Sequence, residues 1–515
     1  MMDLRAHAAR APRHPAVVCG RRHLDYGELE AQANRIAAAL RSLGLRRGDH
    51  VATLMGNVPG ALAAAWAAWR CGIYLTPVST GLAAPEAAAM ITDCEARLVL
   101  ADGASPAAAG LAARAVGMPL LAAVPPLWRS IGGAIAGFEP IEPALAAASP
   151  AAAADEPPGA LMMYTSGTTG APKGVIRPLL PPEWRGTPPF AADLITLFGI
   201  GGSDVRYLST APLYHAAPLR TALAVTAGGG TVHVMDRFDA ATALDLLEAE
   251  AITHSQWVPA MFQRLLALPD ERRQRFSAPA HRTAIHGAAP CTVALKQAMI
   301  DWWGPILLEY YSGSEGVGLT LIDSHEALAH PGSVGRVRKG RLHIVDDDGR
   351  EKPIGETGLV CFSGVAPFAY HRAPEKTATR TLPGGLQTFG DLGHVDADGW
   401  LFLTDRQDDM IISGGVNVYP QEIEAVIGAV DGVWECAVAG IDDAQFGERP
   451  VAFVVPRRGA DTAALREAIQ QAVDEQLGRI KRPDALHFVD VLPRSPIGKL
   501  LRRHLHSLVS RDSPA

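Results

Sequence analysis

Thr165-Ser166-Gly167-Thr168-Thr169-Gly170-Ala171-Pro172-Lys173-Gly174 is the stretch whose reading decides the rest of the chain. It follows the short apolar run Leu161 to Tyr164 and reads as a loop that holds phosphate. Glycines at 167, 170 and 174 let the backbone turn its N–H groups toward an anion. The hydroxyls of Thr165, Ser166, Thr168 and Thr169 add donors, and Lys173 adds positive charge. The order is not that of the Walker loop, because the lysine comes near the end of the segment and Pro172 stiffens its approach. Alone, a Ser/Thr/Gly cluster is an ordinary surface turn, so the flanking sequence has to decide.

On both sides of the loop, apolar strand-like runs alternate with helical patterns. Ala16 to Cys19 is an extended apolar run. Leu29, Ala33, Ile36, Ala37 and Leu40 then share one face at helical spacing up to Gly44, and Val51 to Leu54 reads as a buried strand. The alternation continues through Ile73 to Pro77 and Arg97 to Ala101, and it restarts at Val205 to Thr210 and Thr231 to Met235. This predicts parallel α/β layers. Residues 104–159, rich in Ala, Pro and Gly, predict loops and short elements, and Pro178 to Pro189 predicts a rigid surface connection. Strands at Arg282 to His286 and Ile306 to Tyr310 run into the turns Gly287-Ala288-Ala289-Pro290 and Tyr311-Ser312-Gly313-Ser314-Glu315-Gly316. Ligands of open α/β sheets gather at the carboxyl ends of strands, so both turns are candidate binding positions.

From Arg341 the texture changes to short alternating strands, which predicts a small antiparallel subdomain. A boundary near Arg406 to Asp409 divides a large N-terminal domain, 1–407, from a smaller α+β domain, 408–515. At 515 residues the chain is too long for one ordinary core, and its 48% apolar and 20% charged residues are those of a globular protein. A net charge of −7 supplies no basic field for nucleic acid or an anionic membrane. Cys19, Cys71, Cys94, Cys291, Cys361 and Cys436 show no C-x-x-C spacing, so reduced buried thiols are expected rather than a metal site or a disulfide framework. The N-terminus lacks an apolar signal core and no run reaches about 18 strongly apolar residues, which predicts a cytoplasmic chain without membrane insertion.

The loop at 165–174 resembles the ATP-phosphate loop of the adenylate-forming superfamily, which includes acyl-CoA synthetases, aryl-acid ligases, firefly-type luciferases and peptide-synthetase adenylation domains. Four further segments resemble that superfamily's motifs in its order. Tyr311-Ser312-Gly313-Ser314-Glu315 implies Tyr311 beside adenine, Ser314 near the α-phosphate and Glu315, with Thr168 of the loop, as magnesium ligands. Gly390-Asp391 and Gly399 to Arg406 resemble the ribose region, with Asp391 accepting from the ribose hydroxyls and Arg406 nearby. Asp408 to Glu424 resembles the hinge segment: Asp408 is the implied pivot of a domain rotation, and Ser413-Gly414-Gly415 lines a tunnel for the thiol. Pro493 to Lys499 resembles the catalytic-lysine segment, Lys499 stabilising charge on the carboxylate and α-phosphate. Lysines are scarce in this chain, which draws attention to Lys173 and Lys499.

On the acid side, His215 of Pro212-Leu213-Tyr214-His215 occupies the place where amino-acid-activating members carry an aspartate, so an α-amino acid is disfavoured and His215 is a candidate catalytic and substrate-binding residue. Trp257, Val258, Met261 and Phe262 fall in a helix that walls the acyl pocket in relatives, although an apolar helical stripe is also simple core. Ser312 replaces a glycine beside the acyl group and narrows or polarises that pocket; Ser314 replaces threonine and keeps the hydroxyl. The resemblance implies ATP, Mg2+ and coenzyme A, and activation of a hydrophobic non-amino carboxylic acid to an acyl-adenylate and then to acyl-CoA. It leaves open a stand-alone acyl-AMP ligase that delivers to an acceptor protein, a homodimer, and a non-catalytic sensor on the same fold. The absence of a carrier domain after Lys499 favours coenzyme A. Retention of Lys499, Glu315 and the loop glycines favours catalysis.

Overall fold

Strand His50–Leu54 is buried along its whole length, as a strand covered on both faces must be. It pairs in parallel with Tyr74–Pro77 on one side and Ala96–Asp102 on the other. Ala160–Leu161 extends the sheet beyond Tyr74–Pro77, while Leu127–Ile131 and Glu139–Pro140 extend it at the other edge. The computed structural model describes all residues except 1–2, 123–124, 166–172, 347, 407–408, 414–415, 444–445, 495–499 and 510–515. Residues 104–159 form the short elements expected: helix Pro106–Ala115 starts on a Ser105 cap, and short strands close the sheet edge. Alanine hid the helical period, because a face built of methyl groups gives little contrast.

Helix Tyr26–Ser42 forms where the spacing predicts it. Asp25 and Glu28 make a reciprocal capping box at its start, and Leu29, Ala33, Ile36, Ala37 and Leu40 are all buried.

The larger sheet places the site. Pro15–Cys19, Thr231–Val234, Arg206–Ser209, His254–Trp257, Thr283–His286 and Leu307–Tyr311 lie side by side in that order, all parallel. From Leu307–Tyr311 onward the ladder turns antiparallel through Leu319–Asp323, Ser333–Lys339, Leu401–Arg406, Leu386–Val395, Gly358–Ser363 and Arg341–Val345. The antiparallel region therefore begins before Arg341, and it continues the main sheet rather than standing apart. Ser333 pairs with Phe402 and Gly335 with Leu401 across the junction. A Cβ at Gly335 would lie 2.2 Å from the Leu321 carbonyl oxygen, so only glycine permits this junction.

Side chains alternate across the parallel strands. Tyr207, Ile285 and Leu308 join a core with helix Ala216–Gly228 on one face. Leu208, Trp257, Ala284 and Leu307 join a separate core with helices Pro259–Leu266 and Val293–Trp303 on the other.

Two buried histidines on that second face give stability a pH dependence. The Trp257 indole donates to Ser255 Oγ at 2.6 Å, and the same oxygen lies 2.7 Å from His281 Nε2. Desolvation pushes both His281 and His286 down to about 3, with His254 adding to the shift at His281 and Lys296 at His286. As pH falls the unfolded chain takes up these protons first. The stability they contribute is therefore complete above about pH 6.5 and is lost progressively toward pH 3. At about pH 5.5 the expected loss is about 1.4 kcal/mol for each histidine. Urea midpoints at about pH 7.5 and pH 5.5 should separate by less in His286→Leu than in the native chain. Equal separations would refute the assignment.

The small C-terminal domain is a mixed sheet of Val416–Val418, Ile411–Ser413, Gly447–Pro456, Val433–Asp443 and Ala485–Phe488, covered by helices Pro420–Gly428 and Thr462–Gln476. Its first helix is tied to the large domain by the Gln421 amide, which donates to Asp405 at 3.0 Å. All six cysteines are free. Among the described residues no helix is long and apolar enough to cross a membrane.

Candidate active site

The neighbouring strands Thr283–His286 and Leu307–Tyr311 end in the two turns singled out from sequence. Gly287 fits only without a side chain, since a Cβ there would come within 2.6 Å of the Tyr310 carbonyl oxygen, and Ala288 takes a left-handed φ of 67°. The Tyr311 hydroxyl donates to Asp391 Oδ2 at 2.6 Å. Asp391 is 6% exposed and follows Gly390, whose φ of 83° bends strand Leu386–Val395. Asp391 stands opposite Arg406 in the ladder, so Tyr311 and Asp391, far apart in sequence, meet where the strands of Asp391 and Arg406 pair. Phe389 packs edge-on against Tyr311, and a Cβ at Gly313 would lie 2.6 Å from the Phe389 ring.

Lys173 and Glu315 meet over a residue that no motif announced. Strand Lys173–Ile176 folds back on Met163–Thr165 with Lys173 opposite Thr165. Ser166, Gly167, Thr168, Thr169 and Gly170 lie outside the described residues. On its other side the strand pairs with Ala369–Tyr370. The Tyr370 hydroxyl donates to Glu315 Oε1 at 2.7 Å, and Lys173 Nζ sits 5.1 Å from the centre of the same ring, within cation–π range. Tyr370 thereby fixes the carboxylate and the ammonium relative to each other. Arg177 secures the turn from behind, donating to the carbonyls of Glu315 at 2.6 Å, Gly316 at 3.0 Å and Ala366 at 2.6 Å. Arg177 and Tyr370 carry no sequence signal beyond their place at strand ends. Among the described residues no group of three or more His, Cys, Asp or Glu is gathered around a metal position. Glu315 as a lone carboxylate suits Mg2+, which binds through one or two carboxylates and takes its remaining oxygens from phosphate and water.

The acid side departs from expectation. Trp257 does not lie in a helix: it ends strand His254–Trp257, Val258 is the extended cap, and the helix is Pro259–Leu266. Pro259 explains this, because a proline suits the first helical turn and holds the residue before it extended. Trp257 and Phe262 are 2% and 0% exposed and pack with Trp303, and Met261 is buried in the same core. These three pack in the core on the face opposite helix Ala216–Gly228. The Ser312 hydroxyl donates to the Gly318 carbonyl at 2.7 Å.

His215 caps helix Ala216–Gly228 without a side-chain bond to it. Its Nε2 is sealed and unpartnered among the described residues, and desolvation pushes it down to about 4, so it is neutral at pH 7. On the same helix Arg220 donates to the Ser314 carbonyl at 3.3 Å, a contact the sequence reading did not anticipate. In the C-terminal domain Ser413 is buried and pairs with Gly447. Asp408, Gly414, Gly415 and Lys499 lie outside the described residues.

Comparison with known proteins accords with this geometry. The family model for AMP-binding enzymes matches residues 4–369, and that for the AMP-binding enzyme C-terminal domain matches residues 422–499. The chain is 34% identical over 502 residues to the long-chain-fatty-acid–CoA ligase FadD13 of Mycobacterium tuberculosis, covering 95% of this chain and 94% of that one. It is 33% identical to the fatty acid–[acyl-carrier-protein] ligase ScoC of Streptomyces coeruleorubidus, over 98% of this chain and 96% of that one. Among solved structures, the ATP-bound RpMatB-BxBclM chimera B3 superimposes with a TM-score of 0.84 at 30% identity over 99% of each chain.

Proposed function

The chain belongs to the AMP-binding enzyme family and is an AMP-forming acid–thiol ligase, and from that premise we propose that it converts a non-amino, hydrocarbon-rich carboxylic acid to its coenzyme A thioester. A carboxylate oxygen attacks the α-phosphorus of ATP, the bond to the β-phosphate oxygen breaks, and pyrophosphate leaves. The thiol sulfur then attacks the acyl carbon, the bond to the AMP oxygen breaks, and the thiol proton passes to solvent.

The observation that carries this reading is the meeting of Tyr311 with Asp391 and of Glu315 with Lys173 around Tyr370 at the ends of the sheet strands. In the proposal Tyr311 borders the adenine, Asp391 accepts from the ribose hydroxyls, with Arg406 beside it, and the turn Gly287-Ala288-Ala289-Pro290 closes the nucleotide side. Thr165 and Lys173 flank the phosphate loop at residues 166–170, and Ser314 faces the α-phosphate. Glu315, with Thr168 of the loop, would hold Mg2+, which when bound screens phosphate charge. Lys499 acts in the first half-reaction. Asp408, at the start of a domain 408–515, is the pivot, and Ser413-Gly414-Gly415 borders the thiol. The neutral His215 suits an acid without an ammonium group, because a buried ammonium needs a charged partner.

Coenzyme A is preferred over a carrier protein on the match to FadD13, with ScoC supporting the carrier-protein alternative. Pyrophosphate release with a panel of fatty, aryl and amino acids tests the activity. AMP and acyl-CoA measured separately decide the acceptor: AMP without acyl-CoA would point to the carrier protein. Fastest turnover with a free amino acid, or with acetate over every larger acid, would overturn the substrate class.

Asp391→Ala is expected to weaken apparent ATP affinity about tenfold to a hundredfold, through charge-assisted ribose hydrogen bonds worth about 1–3 kcal/mol. Unchanged apparent affinity would place the ribose elsewhere.

A further inference from the structure

Arg220 and Arg177 approach the same turn and use their donors differently. Arg177 donates to the backbone carbonyls of Glu315, Gly316 and Ala366. Arg220 makes a single long bond, to the Ser314 carbonyl at 3.3 Å, and no carboxylate lies within ion-pair range among the described residues. A guanidinium carries five N–H donors, so most of those on Arg220 have no described partner.

The surroundings make that unusual. Desolvation, with Arg177 adding like charge and Glu315 offsetting part of it, pushes Arg220 down to about 10, which leaves it a cation at neutral pH. A partly desolvated guanidinium with open donors favours an anionic partner. Arg220, His215 and Tyr310 are each only partly buried. Arg220 is about one and a half helical turns beyond His215, on the helix that covers the sheet face of Tyr207, Ile285 and Leu308. On the nucleotide side, Tyr311 meets Asp391 of strand Leu386–Val395, and Glu315 meets Tyr370, which pairs with the strand of Lys173.

We propose that Arg220 binds a carboxylate of the acid substrate, through the planar fork that a guanidinium presents to two oxygens. The proposal rests on the reading of the protein as an acid-activating ligase. The carboxylate has two sources: the group that is activated, or a second one on the same acid.

The test uses the full chain with octanoate, phenylacetate and suberate, the last differing from octanoate by a terminal carboxylate. Arg220→Met keeps the stem and removes the charge. Arg220→Lys keeps the charge without the fork and carries the test should the first variant fail to fold. The expected result is a rise in KM for the acid with kcat/KM lowered about tenfold to a hundredfold and KM for ATP unchanged. A loss shared by all three acids identifies the activated carboxylate, and a loss confined to suberate identifies a second carboxylate. Unchanged kinetics for every acid, or a loss in KM for ATP alone, would overturn the proposal. Calorimetric binding of the same acids separates its failure from that of the enzymatic reading. If the native chain releases no pyrophosphate, weaker acid binding by the variants still supports the role of Arg220. Equal binding, or no binding by the native chain, refutes it.

Discussion

Lys499→Ala should lower adenylate formation about 10²- to 10³-fold, the cost of losing one preorganised charge at a developing anion, while thioester formation from supplied acyl-adenylate stays within about twofold of the native rate. In the first half-reaction a carboxylate approaches the α-phosphate of a polyanion, and negative charge accumulates between them. An ammonium that meets that charge is stabilising mainly in the transition state, so its loss appears in kcat more than in KM. In the second half-reaction the adenylate is already made, and the residue has no charge to meet. The large domain fixes Lys173 over Tyr370 and Arg177 on the turn backbone, so neither is free to follow the reacting oxygen. Equal loss in both half-reactions would remove Lys499 from its proposed role, as would a variant that releases pyrophosphate at the native rate.

Much of this site is legible in the sequence because its parts are short and local. A glycine that must take a left-handed φ, a hydroxyl run and a lysine at fixed offsets remain recognisable whatever surrounds them, and Gly390-Asp391 and Tyr311 to Glu315 are of that kind. Tyr370 and Arg177 are not. Each acts through tertiary contact, with a residue 55 positions away for Tyr370 and 138 for Arg177, and a tyrosine at a strand end gives no hint of which carboxylate it meets. The expected placement of Trp257 in a helix rather than at a strand end has a different cause. Trp257, Met261 and Phe262 are apolar at near-helical spacing, and apolar periodicity reports burial without saying on which side of a sheet it occurs. Only strand order, with Trp257 and Tyr207 pointing to opposite faces, separates core from cavity. Arg220 escaped for the converse reason. It is a charged residue inside an apolar helix, and nothing local shows that its donors lack partners.

The buried pair Lys296–Glu309 is where a single substitution should destabilise the large domain most. Lys296, on helix Val293–Trp303, and Glu309, on strand Leu307–Tyr311, are 6% and 5% exposed. Lys296 Nζ lies against Glu309 Oε2, off a hydrogen-bond direction. Burial pushes the Glu309 carboxyl up while Lys296 pulls it down. Lys296→Met fills similar space and leaves the carboxylate uncompensated, and breaking a buried pair in this way costs about 3–5 kcal/mol. Lys296→Met with Glu309→Leu removes both charges and should recover most of that loss, because the pair offsets its own desolvation and contributes little net stability. Urea midpoints for the two single variants and the double one close the cycle. A single variant that loses less than about 1 kcal/mol, or a double variant as unstable as the sum of the singles, would show that the two groups do not compensate each other. The effect should also reach the nucleotide. Glu309 is two residues before Tyr311, whose hydroxyl meets Asp391, so Lys296→Met should raise KM for ATP at temperatures where the variant is still folded, and the double variant should restore it.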